Sequence, residues 1–302
     1  MGEKTRALVP WEELRDAVPE LRIDVYDGIV APPADVADVA FYALPYAKPY
    51  GPEPVPAMAG LRVLQTLNAG YEELLPLLPD GVTLCNGRGL HDASTAELAL
   101  ALMLAAQRDL PRWVREQQAH HWIREHTASL AGSRVLIVGY GSIGAALDVR
   151  LRACEAETVR VARRARPDED VHSVADLPGL LPYADIVVLI VPGGPTSTGM
   201  FGAPELALLP DGALVVNVGR GPVLDTDALL AETTKGRLRA ALDVIDPEPL
   251  PPGHPLWDSP GVLITPHVGG GSATFYPRAR RFLADQLRRF AEGRPLRNVV
   301  HP

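Results

Sequence analysis

From residue 134 onward six short β-branched runs recur, at 135–138, 159–161, 186–191, 214–218, 240–244 and 262–265. They are almost wholly apolar and lack the two-residue alternation of a strand with one face in water. Each is therefore expected to be buried on both faces, which a parallel sheet covered by helices achieves. The connections at 142–153 and 225–231 open on polar residues and then carry helix-spaced apolar positions. The first ninety residues repeat the pattern more weakly, with strands expected at 22–26, 39–42, 62–66 and 82–85 and prolines setting the loops between. Helices are expected at 93–107 and 278–292, both crossing between domains. The charged segment 108–130, with Trp113, His120, His121 and Trp122, is either an oligomerisation arm or a surface helical excursion.

A chain of 302 residues is long enough for two domains with cores of their own. With 47% hydrophobic and 22% charged residues it is a packed globule rather than a disordered or fibrous chain. A net charge of −8 argues against nucleic acid or an anionic membrane as partner. Cys85 and Cys154 are too few and too separated for a disulfide scaffold or a zinc site, which fits a reducing compartment, and no metal is expected. The stretch 1–10, charged at Glu3, Lys4 and Arg6, is no secretory signal. The apolar stretches 98–106 and 186–191 are too short to cross a bilayer. A cytoplasmic protein is expected.

The run 135–138 leads directly into Gly139-Tyr140-Gly141-Ser142-Ile143-Gly144 and a helix, the context a dinucleotide-binding glycine motif requires. Gly139 permits the tight turn, Gly141 lets backbone approach a pyrophosphate, and Gly144 allows close helix packing, while the helix N-terminus faces the anion. The acid that usually holds the ribose 2′-hydroxyl at the end of the next strand is missing. Ala162, Arg163, Arg164 and Arg166 occupy that stretch, so NADP(H) is expected over NAD(H), which remains the weaker alternative.

Three segments each follow an expected strand: Asn217-Val218-Gly219-Arg220-Gly221, Asp243 to Pro249, and Thr265-Pro266-His267-Val268-Gly269-Gly270. Ligands of open parallel sheets bind outside the carboxyl ends of the strands. There Arg220 can fork a carboxylate, His267 can pass a proton near neutral pH, and Glu248 can orient that histidine and favour its charged form. His91 beside Asp92 reads as a helix-start residue or one facing a cleft, His254 as a loop residue, and the arginines between 278 and 289 as the solvated face of a helix.

At these residues the chain resembles the D-isomer-specific 2-hydroxyacid dehydrogenases, NADP type, similar to glyoxylate/hydroxypyruvate reductases. The resemblance runs from Gln65-Thr66-Leu67-Asn68-Ala69-Gly70 through Thr95-Ala96-Glu97, the glycine loop and Val191-Pro192 to the three segments above. It implies two Rossmann-like, doubly wound parallel-sheet α/β domains: a discontinuous substrate domain at 1–94 and 277–302, and an inserted NADP-binding domain at 95–276 with a helical dimerisation arm near 108–130. It also implies Arg220, Glu248 and His267 as catalytic residues. Ala69 and Gly70 would hold the substrate carboxylate through backbone N–H groups, together with Arg220 and His267. Ser142, Ile143, Val191, Pro192, Val218, Gly219 and Gly269 would line the cofactor, and Asp243 would hold the nicotinamide carboxamide. The implied partners are a small 2-keto or 2-hydroxy acid and a second copy of the chain, with Trp122 reaching the neighbouring active site. Against the family pattern, Glu155 stands where a glycine usually ends the first helix, and Asn68 replaces a serine. A dinucleotide-sensing, corepressor-like binding protein of the same fold is the alternative.

Overall fold

The computed structural model describes residues 4–300. Residues 1–3 and 301–302, which hold Glu3 and the outer ends of the expected substrate-domain ranges, lie outside the described residues. The chain forms two compact units, Met1–His91 with Ala273–Pro302, and Asp92–Ser272.

The first unit contains strands β1 (Arg6–Val9), β2 (Arg22–Val25), β3 (Val39–Ala43), β4 (Val63–Gln65) and β5 (Thr83–Cys85). All pair in parallel, in the order β2-β1-β3-β4-β5. Its two faces have separate cores: Phe41, Val63 and Leu67 pack with Phe275, Ala279, Leu283 and Leu287, while Leu8, Tyr42, Leu64 and Leu84 pack with Val55, Met58 and Leu74.

The second unit runs α1 (Asp92–Gln107), α2 (Leu110–Gln118), β6 (Arg134–Val138), α3 (Ser142–Ala153), β7 (Glu157–Ala162), β8 (Val171–Ser173), α4 (Leu177–Leu180), β9 (Ile186–Leu189), α5 (Ala203–Leu208), β10 (Leu214–Asn217), α6 (Thr226–Thr234), β11 (Arg239–Leu242) and β12 (Val262–Ile264). Its parallel sheet has the order β12-β11-β10-β9-β6-β7-β8. Ile137, Ile186 and Val216 bury against α1 and α3, while their neighbours Leu136, Val187 and Val215 bury on the opposite face. In β6, β9, β10 and β11 this double burial is why the strands show no alternation, whereas β7 and the edge strand β12 are only partly covered, contrary to the expectation for their runs. The strand order reverses between β6 and β9, and such a switch point opens the crevice in which dinucleotides bind.

Helix α7 (Phe275–Ala291) starts before the expected residue 278, because Pro277 falls in the first turn, where no intrahelical N–H is needed. It belongs wholly to the first unit, and α1 wholly to the second. The helices therefore do not cross between domains as expected; the chain changes units at their starts. Within 108–130 only α2 is helical, and 119–130 is irregular.

Candidate active site

The glycine loop has the geometry its sequence implies. Gly139 sits at φ +105°, and a Cβ there would lie 2.6 Å from the Ile190 carbonyl, so neither its conformation nor its space admits a side chain. A Cβ on Gly144 would lie 2.9 Å from the Gly139 carbonyl, the close approach of helix to strand. Gly141 instead faces open space. It is the N-cap of α3 and gives no side-chain cap, which leaves the first-turn N–H groups directed at whatever anion sits there. Ser142 Oγ donates to Asp92 Oδ1 at 3.1 Å.

Behind the loop lies a network that sequence reasoning missed. The fully buried Asp148 carboxylate accepts from Tyr140 Oη (3.0 Å), Thr158 Oγ1 (2.6 Å) and Arg152 Nη2 (3.0 Å), with Arg160 Nε at 3.2 Å. Burial, and then the bond to Asp148, push the Tyr140 phenol up, so it stays a donor. Arg166 Nη2 donates to the Tyr140 carbonyl at 2.9 Å. Of the arginines beyond β7, Arg166 is thus engaged on the loop. Arg163 and Arg164 are exposed, with no hydrogen bond or ion pair among the described residues. The open Gly141, the uncapped helix start and these two guanidinium groups fit a dinucleotide carrying a 2′-phosphate.

Val191 and Pro192 leave β9, and Val218 and Gly219 leave β10 beside them. A Cβ on Gly219 would lie 2.7 Å from the Val191 carbonyl. Arg220 follows, half-buried, with its Nη1 donating to the Gly219 carbonyl at 2.8 Å. Its remaining donors have no partner among the described residues. The fully buried Asn217 shapes this turn: its Nδ2 donates to the Arg220 carbonyl (3.0 Å) and its Oδ1 accepts from Gly219 N (3.1 Å).

Beyond β11 and β12 the other two residues meet. His267 Nδ1–H donates to Glu248 Oε1 at 2.6 Å, which fixes the tautomer and leaves Nε2 with no partner among the described residues. His267 adopts φ +53° and is held there by Asp243, only 3% exposed. Asp243 Oδ1 accepts from Thr265 Oγ1 (2.6 Å) and Val268 N (2.9 Å), and Oδ2 accepts from Gly269 N (2.8 Å). The His267 N–H itself donates to the Asp243 carbonyl at 2.9 Å.

The Gly269 N–H is engaged by Asp243, so any part Gly269 plays at the cofactor falls to its Cα and carbonyl. Asp243 acts first as the anchor of the histidine loop. A carboxylate has about four acceptor positions, so Oδ2 can still take one further donor, as a carboxamide would supply.

Ala69 and Gly70 follow β4 in the first unit, and their role rests on the resemblance alone. His91 is a buried helix-start residue: Nε2–H donates to the Leu67 carbonyl at 2.8 Å, and the ring stacks with Tyr46 and Phe275. His254 caps a short 3₁₀ turn, accepting from Leu256 N.

Residues 100–269 match the family model described as D-isomer specific 2-hydroxyacid dehydrogenase, NAD binding domain. A glyoxylate/hydroxypyruvate reductase B from Citrobacter koseri is 31% identical over 257 residues, 81% of this chain and 79% of that protein. A D-3-phosphoglycerate dehydrogenase from Archaeoglobus fulgidus is 28% identical over 82% of this chain, which spans about half (49%) of that protein's length. Among solved structures, a D-isomer specific 2-hydroxyacid dehydrogenase from Xanthobacter autotrophicus Py2, in complex with NADPH and MES, shares 29% identity over 99% of both chains, with a TM-score of 0.84.

Proposed function

The chain belongs to the D-isomer specific 2-hydroxyacid dehydrogenases, and from that premise we propose that it transfers a hydride between NADP(H) and a small 2-keto or 2-hydroxy acid, of the glyoxylate or hydroxypyruvate type. The observation that carries the reading is the Glu248–His267 pair at 2.6 Å, which with an Arg220 whose fork is largely unengaged follows the carboxyl ends of the neighbouring strands β10, β11 and β12. The nicotinamide, when bound, supplies or accepts the hydride at substrate C2. His267 Nε2 gives a proton to the substrate oxygen during reduction and takes it back during oxidation. Arg220 pairs with the carboxylate and stabilises charge developing on that oxygen. Glu248 holds the imidazole in orientation, and Asp243 fixes the backbone that carries it.

NADP(H) is favoured over NAD(H) by Arg163 and Arg164, and by NADPH in the Xanthobacter structure. The sensing, corepressor-like alternative is not favoured, since relatives such as those from Citrobacter koseri and Archaeoglobus fulgidus are named as a reductase and a dehydrogenase. A homodimer built on the 108–130 segment and a cytoplasmic setting complete the proposal; the free thiols of Cys85 and Cys154 suit a reducing compartment. Two domains, with the substrate domain drawn from both chain ends, are part of the same reading. The test is NADPH oxidation followed across a panel of 2-keto acids that includes glyoxylate and hydroxypyruvate. A folded protein that turns over none of them with either nicotinamide would sink the proposal.

A further inference from the structure

We infer that the first unit carries an anion site, formed by Arg88, Arg278, Arg281 and Arg297, for a small molecule bearing two or more phosphoryl groups. These side chains, with Phe282 and Asn298, line a surface cavity of about 600 Å³ whose lining includes no carboxylate. Elsewhere in this unit most arginines are paired with acids, as Arg6 with Asp24 and Asp38, Arg15 with Glu12, Arg280 with Glu13, and Arg289 with Asp285, while Arg62 lies over the Phe290 ring and, among the described residues, Arg288 stands alone on the surface. Around the cavity the unpaired arginines are gathered together. Among the described residues Arg88, Arg278 and Arg281 have no ion-pair partner, and Arg297 reaches Asp285 only at 3.5 Å. Arg281 Nε donates to the Pro277 carbonyl at 3.2 Å, which leaves its other donors unengaged.

The helix-face reading of the sequence accounts for Arg278 and Arg281, one turn apart on α7, but not for the arrival of Arg88 and Arg297 from two other segments. Both of those are set in place by side-chain amides, one of them fully buried. Gln286, 0% exposed, donates through Nε2 to the Arg297 carbonyl (3.0 Å) and accepts through Oε1 from Arg297 N (2.8 Å). Asn298, at φ +54°, donates through Nδ2 to the Arg88 carbonyl at 2.8 Å, and its own carbonyl accepts from Asn86 N at 3.1 Å. The backbones that carry Arg88 and Arg297 are thus anchored beside the cavity that all four side chains line, where repulsion among the like charges is unfavourable until an anion joins them.

The charge count selects the ligand. A phosphoryl group carries about −1.5 to −2 near pH 7, so two of them balance these arginines, and guanidinium forks match phosphate oxygens in pairs. A chain with a net charge of −8 repels a long polyanion, which favours a small ligand over a nucleic acid.

The test is calorimetric titration with inorganic pyrophosphate at low ionic strength, on protein loaded with one equivalent of NADPH, so that the glycine loop is filled without an excess of a second phosphoryl ligand. Saturable binding is expected, weakening as salt is added. It should weaken about tenfold or more in Arg278→Ala/Arg281→Ala, and also in Arg88→Ala on a separate element, with thermal unfolding of both variants still cooperative. Citrate should bind more weakly than pyrophosphate. No saturable binding, or equal affinity in wild type and both variants, would overturn the site; citrate binding as tightly as pyrophosphate would overturn the phosphoryl assignment.

Discussion

His267 holds a left-handed backbone, φ +53°, that L-residues enter at a cost of about 1–3 kcal/mol, and Asp243 is what makes that conformation persist. Asp243→Asn keeps the size but turns one acceptor into a donor that must face Thr265, Val268 or Gly269. It should lower stability by about 1–3 kcal/mol and reduce kcat more than NADPH affinity; unchanged kcat would show that the histidine is held by something else. His267→Ala should lower kcat by about 10²–10⁴-fold with NADPH binding retained in a fluorescence titration, and near-normal turnover would remove it from the mechanism. Arg163→Ala and Arg164→Ala should each weaken NADPH by about 1.5–3 kcal/mol while sparing NADH. A wild type that prefers NADH in kcat/KM would refute that assignment. Arg220, Glu248 and His267 were legible in the sequence because their chemistry lies in their side chains and each follows an expected strand. Asn217 and Asp148 were not, since both act on backbone or on neighbours brought close only by folding.

At the scale of elements, the loop between β6 and α3 separates two uses of glycine that look alike in the sequence. Gly139→Ala places a Cβ 2.6 Å from the Ile190 carbonyl at φ +105°, so the loop and its strand must shift and the melting temperature should fall. Gly141→Ala meets nothing within 4 Å and should leave the melting temperature nearly unchanged, yet it fills the space a pyrophosphate needs and should raise KM for NADPH. Loss of stability in Gly141→Ala, or unchanged NADPH affinity, would contradict that division of roles. Glu155 shows a departure that the sequence did reveal: it takes φ +61°, the conformation a helix-ending glycine adopts without strain. The doubly buried strands could be read from their unbroken apolar, β-branched runs. β1 and β8 could not: the one begins with Arg6 and is only four residues long before Pro10, and the other is the three-residue edge run Val-His-Ser.

At the scale of the whole molecule, the segment after α1 is the part that the chain's own packing explains least. No residue of α2 is buried, and Trp122 is 94% exposed, with Leu110, Val114 and Ile123 also outside the cores. A monomer that left this much apolar surface in water would forgo the burial that stabilises the rest of the chain, and such patches mark association surfaces. The sequence could show that Trp113 to Trp122 was odd for a connector, but not that the segment finds no cover within its own chain, because cover is a property of the folded whole. The expected outcome is a homodimer whose melting temperature rises with protein concentration. Trp122→Asp, which puts an unpaired charge into that contact, should shift the protein toward the monomer in light scattering coupled to size-exclusion chromatography, without loss of the far-ultraviolet signal of the folded sheets. If the wild type runs as a monomer at every accessible concentration, or if Trp122→Asp leaves the dimer intact, the 108–130 segment is not the arm.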